Sequence, residues 1–246
     1  MVAGSRTGGY SVEEMTRVAS PSNRARRAGV AWPLLVATAL FLGIVGLPLG
    51  IRLFAYEAFE MDGPSMAPTL ISGDRFVVDK HAYGVFLPFT DEAVTSWAEP
   101  TIGEVAVIRS PYDEIDIVKR IVAVAGDTVE IRDDVVFVNG RALSDGPPRP
   151  CAPPSPDDCQ QIEERHGERR WTTSRSALSV PDTLSPRTVP EDHVFVLGDH
   201  RDRSNDSRNP RVGFIPHARL KGRATWIYFS AGPHGVRDGR IGLALR

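Results

Sequence analysis

Cysteine is scarce in this sequence. Two residues among 246 are too few for a disulfide framework and too few for a zinc site of the usual four-ligand kind. An excess of either charge is missing as well: 29 lysines and arginines stand against 31 acidic residues, a formal net charge of -2. That balance argues against a nucleic-acid binder, which needs a basic face. Internal repeats are absent, and so are metal and nucleotide motifs, so no cofactor is expected. The length admits one large domain or two small ones, and all-β chains often fill it with one.

Two further absences are local. Residues 1–27 hold few large apolar side chains and cannot bury enough surface to offset the entropy of ordering, so they are expected to form a disordered tail. From Ala28 to Ile51 no charged residue occurs. As a helix rising about 1.5 Å per residue, this run exceeds the ~30 Å hydrocarbon thickness of a bilayer. It is longer than the apolar core of a secretory signal, and Arg52-Leu53-Phe54-Ala55 offers no small-x-small cleavage site after it. The expectation is a transmembrane helix over 28–51, with a cleaved signal and a buried core helix as the alternatives. Arg17, Arg24, Arg26 and Arg27 precede the run and only Arg52 follows closely. The positive-inside bias then puts the N-terminus in the cytoplasm and residues 52–246 outside. Phe54, Tyr56 and Phe59 suit the headgroup layer.

What is present beyond this run reads mainly as β. Asp74–Asp79, Val105–Ile108, Ile115–Val124, Thr128–Arg132, Val135–Val138, His193–Gly198 and Gly222–Phe229 are short apolar or alternating runs bounded by turn residues. Asp133-Asp134 and Asn139-Gly140 are hairpin turns. An antiparallel meander is expected. Tyr83–Phe89, with Trp97 beyond, is an apolar loop that either packs in the core or dips into lipid. Residues 144–192 are rich in proline and charge, show weak periodicity and form an expected inserted subdomain. Within it Cys151 and Cys159 are expected to pair in an oxidising exterior, as a staple without chemistry of its own.

Candidate chemistry starts at Asp62-Gly63-Pro64-Ser65-Met66-Ala67-Pro68-Thr69-Leu70. Two prolines forbid a continuous helix through Ser65, and Gly63 permits a positive φ or a close backbone approach beside it. Such a loop holds a hydroxyl in a fixed place, although a plain surface turn has the same composition. Lys119 and Arg120 sit within the apolar run Ile117–Val122. A strand lysine is ordinarily a solvated edge charge, but neighbours on a strand point to opposite faces, so one of these two cations should face inward. The run Asp199–Arg208, dense in charge and hydroxyls, leaves a buried strand through Gly198 and is placed to join a shared polar network.

These segments, in this order behind a single apolar span, resemble the type I signal peptidases, membrane-anchored serine proteases that remove signal peptides from exported preproteins. The matching pieces are Gly63–Leu70, Gly73-Asp74, Val118-Lys119-Arg120 with Gly126-Asp127, and Gly198-Asp199 through Arg208. The resemblance implies a signal-peptidase/LexA-like β-fold, Ser65 as nucleophile and an uncharged Lys119 as general base. A free lysine titrates near ~10.4, so this role needs a lowering of roughly two to three pH units, about 3–4 kcal/mol, which burial among groups such as Val118 and Ile121 can supply. The same resemblance gives Ser204 the task of orienting the lysine amine. Asp206 would pair with Arg208 or Arg120 and steady the loop. Met61, Met66, Leu70 and Val118 are implied to line shallow pockets for small side chains, and the substrate is a small-x-small stretch bound as an added strand.

Some family positions differ. Where part of the family carries a serine that helps the oxyanion, this chain has Gly63, so a backbone amide or water must serve. His200 and Arg203 stand where asparagines are common. They are expected on the solvent side, paired with Asp199 or Asp202, while a sharper reading has Arg203 depressing the Lys119 pKa. A Ser-His-Asp triad through His200 and Asp202 is a weaker alternative. A LexA-type self-cleaving protease lacks support, because residues 1–27 show no helix-turn-helix pattern. A membrane-anchored β-domain that binds exported peptides without cutting them is the alternative from another class.

Overall fold

The computed structural model describes residues 23–47, 50, 55–86, 93–96, 98–152 and 158–245. The chain divides into two compact units, Met1–Pro48 and Leu49–Arg246. In the first, helix α1 (Asn23–Phe41) is followed by a π-helical stretch, Leu42–Gly46. Pro33 lies inside α1. Among the described residues no helix is long and apolar enough to cross a membrane. The expected 28–51 span lies partly outside them, at Pro48, Leu49 and Ile51. The expected tail over 1–27 also lies outside the described residues up to position 22, and the helix already begins at Asn23.

The second unit is built from strands. They begin with β1 (Tyr56–Glu60), β2 (Asp74–Asp79), β3 (Gly84–Phe86), β4 (Ala93–Ser96), β5 (Val105–Arg109) and β6 (Asp116–Val124). Next come β7 (Thr128–Arg132), β8 (Val135–Val138), β9 (Arg141–Ala142), β10 (Arg149–Pro150), β11 (Cys159–His166) and β12 (Arg169–Ser176). The last are β13 (Leu184–Thr188), β14 (His193–Leu197), β15 (Ile215–Pro216), β16 (Leu220–Gly232) and β17 (Gly235–Val236). The main sheet has the order β1-β2-β16-β5-β6-β14-β15, with β17 attached to β16. Its pairings are antiparallel. The mainly β, antiparallel fold expected from the sequence is therefore the fold observed.

The central strands β5, β6 and β14 are buried on both faces, which explains why they read as near-continuous apolar runs. On β5, Val105 and Val107 join one cluster with Met61, Met66, Leu70 and Phe76, while Ala106 and Ile108 join another with Ile121, Val194 and Leu220. A smaller sheet, β13-β7-β8-β9, packs Val129, Ile131, Val136 and Val138 with Val122, Phe195 and Leu197 in a third cluster. Its two tight turns are the ones the sequence marked: Asp133 and Asp134 have φ 45° and 70°, and Asn139 and Gly140 have φ 51° and 73°, as primed turns require.

Two expectations need correction. Tyr56 and Phe59 belong to β1, which pairs with β2, and Phe59 stacks on Phe76 at 6.1 Å between ring centres. Phe59 is thus committed to the β unit instead of a headgroup layer, while Phe54 lies outside the described residues. Residues 144–192 are also more ordered than their weak periodicity suggests. They hold the three-stranded sheet β10-β11-β12 and the strand β13. Among their described residues the buried apolar side chains are Trp171 and Val189, and both join the third cluster. Cys151 and Cys159 are disulfide-bonded, with Cα atoms 5.4 Å apart. Of the apolar loop near residue 83, Tyr83 is buried and its hydroxyl donates to Glu104 at 3.1 Å; residues 87–92 and 97 lie outside the described set.

Candidate active site

The loop between β1 and β2 carries Ser65. Gly63 has φ 88° with open space around its missing Cβ, so it is the backbone conformation that calls for glycine there. The Ala67 N–H donates to the Pro64 carbonyl at 3.0 Å and the Leu70 N–H to the Met66 carbonyl at 2.9 Å. Met66 and Leu70 are fully buried beneath the loop, in one cluster with Met61 and Val118. The four implied pocket positions are therefore gathered under a single stretch of chain.

Lys119 meets this loop from β6. Its Nζ lies 3.1 Å from Ser65 Oγ and donates to the Val118 carbonyl at 2.9 Å. The side chain is 4 % exposed. Burial pushes its pKa down to about 8; Asp206 and Asp199 oppose the fall and Arg208 assists it. Arg203 is not among the charges that shift Lys119.

Arg120, the next residue, projects from the other face of the strand. It makes a two-pronged pair with Asp199, at 2.8 and 2.7 Å, and donates to the Gly103 carbonyl at 2.6 Å and Thr69 Oγ1 at 3.2 Å. Its guanidinium also lies 5.2 Å from the centre of the Trp171 ring. The serine loop thus passes the edge of β6 and touches both cations, through Ser65 on one and Thr69 on the other.

The segment after β14 supports Ser65 from behind. The His200 N–H donates to the Ser65 carbonyl at 3.1 Å. A Cβ added at Gly198 would lie 2.5 Å from that carbonyl oxygen and would also collide with the Ser204 side chain. Glycine is required there by this close approach. Asp206 accepts the Gly198 N–H at 3.0 Å and pairs with Arg208 through two bonds of 2.8 Å. Burial pushes the Arg208 pKa down, but Asp206 and Asp182 outweigh it and hold the guanidinium above its ordinary value.

The family described as "Signal peptidase, peptidase S26" matches residues 32–229. The chain belongs to that family. A Signal peptidase I from Pseudomonas fluorescens is 33% identical over 216 residues, 80% of this chain and 74% of that protein. One from Bacillus licheniformis is 30% identical over 191 residues, 78% of this chain and 86% of that one. A crystal structure of a signal peptidase I from Enterococcus faecalis V583 matches 52% of this chain and 98% of its own at 28% identity, with a TM-score of 0.32.

Several positions in this signal-peptidase chain differ from expectation. Ser204 Oγ is buried without a hydrogen-bond partner among the described residues, so the structure does not bring it into a bond with Lys119. Asp206 pairs with Arg208, one of its two expected partners, whereas Asp199 is taken by Arg120 and not by His200 or Arg203. His200 is mostly buried, with Nε2 3.6 Å from Asp202, and no hydrogen bond joins its ring to Ser65 among the described residues. The triad alternative is not assembled. Arg203 is exposed.

Other supporting residues were not anticipated. Glu164 accepts bonds from Trp171 Nε1 at 2.8 Å and Arg201 at 2.5 Å, and Ser174 Oγ donates to the Ala67 carbonyl at 2.9 Å. The inserted hairpin therefore braces the serine loop. Arg240, near the C-terminus, donates to the Thr69 carbonyl at 2.8 Å and bonds both carboxylate oxygens of Asp74. Burial raises the Asp74 pKa, but the bonds from Arg240, the Ile71 amide and Ser230 outweigh it and hold it below the ordinary carboxylate value. The Gly73-Asp74 motif was the available sign of this clamp, but nothing near it in the chain names Arg240.

Proposed function

We propose that the protein is a serine endopeptidase that removes N-terminal signal peptides from exported preproteins, with Ser65 as nucleophile and uncharged Lys119 as general base. The observation that carries this reading is the 3.1 Å approach of Lys119 Nζ to Ser65 Oγ in a buried setting. A serine hydroxyl is a weak nucleophile until a neighbour takes its proton, and a lysine can do so only when neutral. With a pKa of about 8, an appreciable fraction of the amine is neutral near physiological pH.

In the first step Ser65 Oγ bonds to the scissile carbonyl carbon as its proton passes to Lys119 Nζ. The developing oxyanion is met by the Ser65 N–H; Pro64 has none and Gly63 offers no side-chain donor. Collapse breaks the C–N bond, and the lysine ammonium returns the proton to the leaving amine. Water then attacks the acyl-serine, giving its proton to the same amine, and Ser65 is regenerated with the signal peptide's new carboxylate.

A peptide has a place to lie. β14 pairs with β6 only from Arg120 onward, whereas β5 pairs with it from Asp116. The far side of Asp116–Lys119 is therefore an open strand edge among the described residues, suited to strand addition. Met61, Met66, Leu70 and Val118 beside it favour small apolar side chains at a small-x-small site.

We place this unit outside the cell on a single N-terminal membrane anchor over 28–51, with 1–27 in the cytoplasm. The charge-free run supports that reading, as do Trp32, Leu34, Leu35, Leu40, Phe41 and Ile44, all more than half exposed in the first unit, since apolar side chains exposed in a row mark a contact surface. Incubation of purified protein with a preprotein bearing an Ala-x-Ala site tests the proposal. Wild type should release the mature chain, and Ser65→Ala and Lys119→Met should each slow it by about a thousandfold or more, with His200→Ala retaining most activity. Binding without release by wild type would favour the non-cleaving peptide-binding domain.

A further inference from the structure

The serine loop has two sides, and the mechanism uses one. Val118 lies on the open edge of β6, where the signal peptide would run, and packs in one buried cluster with Met61, Met66 and Leu70. On the other side, Ala67 and Pro68 form one wall of a cavity of about 260 Å³. His200 and Arg203 continue that wall, and the disulfide-linked hairpin closes it opposite, through Cys159 and Ser176. A strand lying on Asp116–Lys119 cannot continue along β6 past Arg120, because β14 occupies the edge there. Such a strand would turn off beside His200, whose amide holds the Ser65 carbonyl and whose side chain lines the cavity. That exit opens on the cavity.

Among the charged residues of the cavity wall, Asp158, Arg175, Asp202 and Arg203, Arg203 alone has no side-chain hydrogen bond or ion pair among the described residues, although the Asp158 and Asp202 carboxylates keep their charge. Asp202 accepts the Ser176 N–H at 3.0 Å, and Asp158 accepts the Ser176 hydroxyl. Arg175 pairs with Asp134 and donates to Ser179 Oγ at 2.7 Å. Burial pushes the His200 pKa down, with Asp202 opposing and Arg203 adding to the fall. Arg203 is exposed, and its side chain donates no hydrogen bond among the described residues.

We infer that this cavity receives the first residues beyond the scissile bond, the new N-terminus of the released protein, and that Arg203 selects for an acidic side chain among them. The inference rests on the endopeptidase reading above. It gives the inserted hairpin a role in specificity that its stapling disulfide alone does not suggest.

The test is a peptide series with one Ala-x-Ala site and Glu, Gln or Lys placed singly at each of the first four positions after the cut. At one position wild type should prefer Glu to Lys by about three- to tenfold in kcat/KM at low salt, the range of an exposed ion pair gained against one repelled. The preference should shrink in 0.5 M NaCl. Arg203→Gln should flatten it and Arg203→Glu should reverse it. Ratios that are the same in all three proteins, or a wild-type preference for Lys, would overturn the assignment while cleavage of the Gln peptides upholds the peptidase reading. If wild type cuts none of the peptides, the peptidase reading falls and takes this inference with it.

Discussion

Lys119 and Arg120 are neighbours on one strand, both cations and both buried, yet they meet opposite environments. Arg120 finds a carboxylate, a carbonyl and a hydroxyl, and it ties the strand, the serine loop and the segment after β14 into one frame. Lys119 finds a hydroxyl and a carbonyl but, among the described residues, no carboxylate within bonding distance. Burial without an ion pair favours the neutral amine. One strand supplies both the anchor and the base, because alternation sends Arg120 to a carboxylate and Lys119 to the serine loop, where no described carboxylate pairs with it.

Breaking the anchor should have the larger effect. Asp199→Asn leaves Arg120 buried without its counter-charge, which costs about 3–5 kcal/mol in comparable buried pairs. Denaturant titration should show that loss, and equal stability of variant and wild type would mean the pair is not a structural anchor. The opposite result is expected on the other face of β6. Lys119→Met, though inactive, should gain about 1–3 kcal/mol at pH 7, because it removes a buried cation. The sign follows from the lowered pKa: the unfolded chain binds more protons between pH 8 and 10.5, so wild-type stability rises across that window. The advantage of the variant should therefore be largest below pH 8 and fade as pH approaches 10.5; a variant less stable than wild type at pH 7 would contradict it.

The same contrast explains what was legible in the sequence. The main-sheet strands were readable because their apolar runs end at turn residues, and the hairpin around Asp133-Asp134 because its turn needs positive φ. The strands β11 and β12 were not. Apart from Ile162 and Trp171 they are almost wholly polar or charged, and they are held by an eight-residue ladder and by Glu164. Ser65 and Lys119 stood out as a constrained loop hydroxyl and an amine in an apolar run. Their supports did not: Asp199 lies 79 residues from Arg120, and Arg240 lies 166 from Asp74. Pairings across such separations leave no local pattern, and charge-dense runs such as Asp199–Arg208 look like solvated loops until their partners are seen.

The most direct test is an NMR titration of the Lys119 amine in the intact protein. A midpoint near pH 8, with kcat/KM rising through the same pH, is the result this account predicts. A midpoint near the ordinary lysine value of about 10.4 would contradict it, because an amine charged at working pH has no capacity to take the Ser65 proton.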